Sequence, residues 1–249
     1  MNPELSRRQF VAASLAAGAV LTVSSGVPTM LAGAAPKNIG SGTGDSNLCL
    51  KPRYHRWHVD PGVEWLETNT GYATLDWTIP LTQTALVLVD VWQRHYIKDT
   101  ERRGEAVVRD KLVPLLAACR RAGLQIVHAP SPPVAKGHPN WLRLVGEAEL
   151  KPEYGDWPPP QFRHRSGPYQ RYRRPVEPRE AERQKLPPLR IHPKVQPLAG
   201  EPVVATGEEL HRYCRQKGVL FLVFAGFNTN ACILDRETIT TLRAAAPDA

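Results

Sequence analysis

Thr84–Asp90 reads TALVLVD, a short apolar run that ends on a carboxylate. A continuous run of this length, rich in Val and Leu, suits a strand buried on both faces of a parallel sheet. The stretch Glu105–Gly123, EAVVRDKLVPLLAACRRAG, repeats apolar residues at helical spacing through Val108, Leu112, Leu115, Leu116 and Cys119, and Gly123 closes it. Pro114 lies inside that pattern, so the helix either kinks there or begins its first turn late. Leu124–Pro130, LQIVHAP, then reads as a second strand stopped by proline. Strand, helix and strand together make the repeating unit of an α/β sheet.

A second block of the same kind lies near the C-terminus. Glu201–Thr206 (EPVVAT) reads as a short strand, and GEELHRYCRQKG as a helix with an acidic start, a basic end and a terminal glycine, as the helix dipole favours. Val219–Gly226 (VLFLVFAG) reads as a central strand, and NACILDRETITTLRAAA as a final helix. The expected fold class is α/β, a doubly wound, mostly parallel sheet with helices on both faces.

Between the blocks, roughly residues 131–200, periodicity fades and Pro, Arg and aromatic residues accumulate, as in YGDWPPPQFRHRSGPYQRYRRPVEPREAERQKLPPLR. A loop this long is functional or disordered. It reads as a lid over the site or an oligomer contact, and it carries no nucleic-acid-binding motif, so no nucleic acid partner is expected. The rival reading is an anion-binding surface acting through its arginines.

The N-terminus carries a targeting signal. SRRQFV (Ser6–Val11) is a twin-arginine pattern, followed by a weakly apolar run and by Ala32-Gly33-Ala34, which resembles a cleavage site. Residues 1–34 are therefore expected to be a leader, with the mature protein periplasmic or secreted and without a stable membrane anchor. Residues 35–80 read as a spacer and N-terminal extension, and 81–249 as the catalytic-type domain. The formal charge of +8 over 249 residues fits a basic leader plus a solvated basic loop. Cys49, Cys119, Cys214 and Cys232 show no C-x-x-C and no zinc spacing, and an oxidising compartment would allow pairing.

In doubly wound folds, sites form beyond the carboxyl ends of the strands. Asp90 ends the first strand, and Cys232 lies just past the strand ending at Gly226. If those strands are neighbours, a carboxylate and a thiol meet at one sheet edge. A helix N-terminus near Asn230 would favour a thiolate, and the carboxylate could take the thiol proton and return it to a leaving amine. Backbone amides of the turn Phe227–Cys232 could hold an oxyanion, and the small residues there, Gly226 among them, would let a substrate approach. Trp92, Tyr96 and Phe227 are the expected walls of the substrate pocket.

TALVLVDVWQRHY, IVHAP and GVLFLVFAGFNTNAC together resemble the isochorismatase-like cysteine hydrolases, which include nicotinamidases and N-carbamoylsarcosine amidases. The resemblance spans Thr84–Pro133 and Ile191–Leu234. It implies Cys232 as nucleophile, Asp90 as base, a cis peptide at Phe227–Asn228, and the amides of Asn228 and Cys232 as oxyanion donors. It also implies a triad lysine after the strand matched by EPVVAT, where this sequence has Ala205 and Thr206. Lys194 precedes that strand and Lys217 ends the next helix; His95, Arg94 and His128 are the electrostatic stand-ins. The family continues with a further strand and helix, so the last unit is expected to be missing here, and a homo-oligomer is one way to cover the sheet edge.

No metal is expected: no Asp-x-His occurs, and His55–His58 and His192–His211 offer no third ligand. No cofactor is expected either. The reading is an exported cysteine hydrolase that cleaves a C–N bond of a small amide or carbamoyl substrate. The alternative is a non-catalytic protein on the same fold that binds a ligand or partner.

Overall fold

The computed structural model of the protein describes residues 46–146, 149 and 157–233. The leader expected at 1–34 and most of the final helix lie outside these residues. The chain separates into two compact units, one ending at Thr84 and one starting at Ala85.

The first unit contains four short strands that the sequence reading did not foresee. β1 (Asn47–Leu50), β2 (Arg53–Arg56), β3 (Gly71–Thr74) and β4 (Trp77–Pro80) pair antiparallel, β1 with β4 and β2 with β3. Leu48 and Ile79 stand opposite each other and are buried. On the second ladder, Tyr72 carries the Arg53 guanidinium at 4.4 Å and meets His55 edge-on at 5.3 Å. Cross-strand ring and cation contacts of this kind add to the stability of so small a unit.

The second unit is α/β. β5 (Thr84–Val89) is buried along its whole length, as its sequence predicts. It is followed by α1 (Lys98–Val107), a π-helical turn at Val108–Leu112, and α2 (Val113–Arg121). The π turn settles the Pro114 question. The helix widens just before the proline, which then occupies the first turn of α2, where an amide hydrogen is least missed. Val108, Leu112, Leu116 and Cys119 are buried, and Gly123 leaves the helix at φ +73°. β6 (Gln125–Ala129) pairs parallel with β5, with Leu88 opposite His128 and Val89 opposite Ala129.

α3 (Gly207–Lys217) begins at Thr206, whose hydroxyl accepts the Glu209 amide at 3.2 Å, and ends at Gly218, φ +67°. Leu210, Tyr213 and Cys214 carry its apolar face into a cluster with Val87, Val89 and Val127. β7 (Phe221–Gly226) completes a three-stranded parallel sheet in the order β6–β5–β7. Two expectations need correction. The central strand among those described is β5; β7 is half-buried at the edge. EPVVAT forms no strand of its own. Val203 makes isolated parallel bridges to His128 and Trp141, because Pro202 has no amide to donate and the chain turns at once into the Thr206 cap.

The long excursion leaves after β6 through short helical turns. Over 157–190 nearly every residue is exposed. It returns where Ile191 bridges Trp92 antiparallel and the His192 amide donates to the Val91 carbonyl at 2.8 Å. The described residues contain no helix long and apolar enough to cross a membrane.

Candidate active site

Asp90 leaves β5 at φ +47°, a left-handed conformation that aspartate tolerates better than most residues. Its amide donates to the Ala129 carbonyl at 3.2 Å, and its own carbonyl accepts the Trp92 amide at 2.8 Å. The side chain is 5% exposed, and Oδ1 accepts the Ser131 hydroxyl at 2.7 Å. A carboxylate this deep is tolerated because it is hydrogen-bonded. Ser131 was not read from the sequence; only the parallel pairing of β5 and β6 brings it beside Asp90.

β7 is locked onto β5 at the same end. Gly226 has φ +138°, and a Cβ there would lie 1.8 Å from the Val89 carbonyl oxygen. The glycine read as room for a substrate is instead room for a neighbouring backbone. The Phe227 amide donates to that same Val89 oxygen at 2.9 Å. The peptide bond Phe227–Asn228 is cis, at the position the resemblance implies. The Asn228 carbonyl then accepts the Ala231 amide at 3.2 Å and the Ile233 amide at 3.1 Å, closing the turn Thr229–Ile233 that carries Cys232. Cys232 is half-buried and packs against the apolar cluster containing Val89. Asp90 and Cys232 therefore extend from the carboxyl ends of adjacent strands, as expected.

The aromatic residues divide. The Trp92 ring meets Phe227 at 4.7 Å and His95 at 5.1 Å, tilted against each by 37° and 42°. Gly104 of α1 lets the helix approach it, since a Cβ there would meet the indole at 3.2 Å. Trp92 lines a narrow cleft with Asp90, Ser131, Val134, Arg190 and Ile191. Phe227 backs Trp92 rather than lining that cleft, and Tyr96, 56% exposed, stands outside it with its ring stacked on His95 at 4.5 Å. Val134, Arg190 and Ile191 also border an open groove of about 690 Å³ that adjoins the cleft.

The expected stand-ins for the triad lysine are engaged elsewhere. Lys194 Nζ donates to Glu105 at 2.8 Å, beside His192 at 2.7 Å, and these hydrogen bonds hold the Glu105 carboxyl below its ordinary range. His128, 2% exposed, bonds Glu201 at 3.0 Å. His95 Nδ1 accepts the Ile97 amide, and Arg94 reaches the Pro188 carbonyl. Lys217 is exposed at the far end of α3. At the position the resemblance assigns to lysine, Thr206 caps α3, while the Ala205 amide bonds the buried Glu209 at 2.6 Å.

Cys49, Cys119 and Cys214 are free thiols. Burial pushes the Cys119 thiol up, and the Cys214 thiol up to about 11. Neither is a nucleophile near neutral pH. Among the described residues, no group of three His, Cys, Asp or Glu side chains is placed to hold a metal. No family model matches the sequence, and no curated protein matches it.

Proposed function

We propose that the protein is an exported cysteine hydrolase of the isochorismatase-like kind, with the doubly wound fold of that family, acting on a C–N bond of a small amide or carbamoyl compound. The observation that carries this reading is the double grip of β7 on the Val89 carbonyl, by the Gly226 approach and the Phe227 amide. It supports a site in which Asp90 and the Cys232 turn share one sheet edge. Cys232 Sγ attacks the carbonyl carbon while Asp90 takes its proton. The oxyanion rests on the backbone amides of Asn228 and Cys232. As the C–N bond breaks, Asp90 gives the proton to the departing amine. Asp90 then draws a proton from water, which attacks the thioester and releases the acid with the thiol restored.

A second reading, a non-catalytic ligand-binding protein on this fold, is favoured by one observation: Lys194 is paired with Glu105, and Thr206 caps a helix where a triad lysine would stand. Ammonia release from a panel of small amides and carbamoyl compounds separates the two. The hydrolase releases ammonia, and Cys232→Ala abolishes it. A folded chain that turns over nothing on the panel supports the second reading.

A further inference from the structure

Arg190 differs from the other arginines of the excursion in being held in place. Its amide donates to Gln93 Oε1, its carbonyl accepts the Gln93 amide at 3.2 Å, and the following residue, Ile191, bridges Trp92. The rim formed by 190–192 is thereby fixed two residues beyond Asp90. Arg190 lines both the cleft that holds Asp90 and the adjoining open groove. Among the described residues it has no carboxylate partner, whereas Lys194 and Arg120 are each paired with a glutamate. Asp90 is the only acid among the described residues lining the two. His138, in the groove, is held below its ordinary value by burial and stays neutral near pH 7. A cation on a fixed rim of the cleft that holds Asp90 is placed to recognise an anion.

We propose that Arg190 binds a carboxylate of the substrate, so that the enzyme acts on amides or carbamoyl compounds that carry an acid group apart from the scissile bond. A planar guanidinium suits a carboxylate better than a point charge does. The inference rests on the hydrolase reading for its chemistry, but its binding half can be tested alone.

The probes are succinamate, glutaramate and adipamate, each against the neutral primary amide of equal chain length. In the wild-type enzyme at least one acid is preferred. Arg190→Gln reduces that preference in kcat/KM about 10- to 100-fold, mostly through KM, and Arg190→Lys restores part of it. Arg173→Gln, a change on the exposed excursion, does not alter it. The same acids are titrated by calorimetry into Cys232→Ala, with and without Arg190→Gln. Arg190-dependent binding without turnover in the wild type would overturn the hydrolase reading and sustain the subsite. Turnover with a preference indifferent to Arg190→Gln, or binding no weaker in the double variant, would overturn the subsite. So would failure of all three acids to bind.

Discussion

Gly226 stands against Val89 so closely that a Cβ would fall 1.8 Å from the Val89 carbonyl oxygen. Gly226→Ala must therefore push β7 away from β5, and at φ +138° it also strains its own backbone. The expected loss is about 3 kcal/mol or more, read as a lower urea midpoint at unchanged slope, together with lost activity. An alanine variant of wild-type stability would mean that the two strands do not meet in this way.

Ser131→Ala takes a hydroxyl from a buried carboxylate. The expected result is a fall in kcat/KM of about tenfold or more, as for removal of a hydrogen bond to a charged group. Ser131→Thr keeps the hydroxyl and should retain most of the activity. Unchanged steady-state kinetics in the alanine variant would show that Asp90 does not depend on this partner.

Glu201 supports a buried ion network between α2, β6 and the segment after the excursion. Burial by itself would raise its carboxyl, but hydrogen bonds from Arg120, His128 and the Leu198 amide outweigh that and hold it at about 2. Its folded value lies below its unfolded one, so the stabilisation is complete above the ordinary carboxylate range and is lost as pH falls through about 2. Urea midpoints measured from pH 6 to pH 2 should fall steeply in the wild type and less in Glu201→Gln. The variant should already be weaker at pH 6 by a few kcal/mol, roughly the cost of breaking a buried charge pair. Parallel pH curves for the two proteins would remove Glu201 from the account.

Thiol chemistry should sort the cysteines by burial. Iodoacetamide on the native chain near pH 7.5, followed by peptide mapping, should label exposed Cys49 and leave Cys119 and Cys214 intact until denaturant is added. Labelling of Cys214 at the rate of Cys49 would contradict its packing in the cluster with Leu210 and Val219.

The legible parts of the fold were those where local pattern and burial agree. All six residues of β5 are buried, and an unbroken apolar run announces that. α3 shows its ends through acids, bases and Gly218. The four strands before Thr84 were silent because most of their residues are exposed, so no two-residue alternation reaches the sequence. Helix α1 starts at Lys98, earlier than its apolar spacing shows, because its first turns are polar. Asp90 and Cys232 could be placed at strand ends from sequence. Ser131 and Arg190 could not, since one arrives from the next strand and the other from the far end of a long excursion. Gly226 was visible as a glycine, but its reason, the Val89 carbonyl, belongs to strand order.

The most direct test of the central claim, that Asp90 moves the proton for Cys232, compares two leaving groups. An amide needs its nitrogen protonated to depart; a p-nitrophenyl ester of the same acid does not. Asp90→Asn should reduce amide hydrolysis by about 10²- to 10⁴-fold, the usual range for a lost acid–base group, and ester hydrolysis by less, because both substrates lose thiol and water activation but only the amide also loses the acid for its leaving group, while Cys232→Ala abolishes both. Equal losses on both substrates in Asp90→Asn, or hydrolysis that survives Cys232→Ala, would contradict the account.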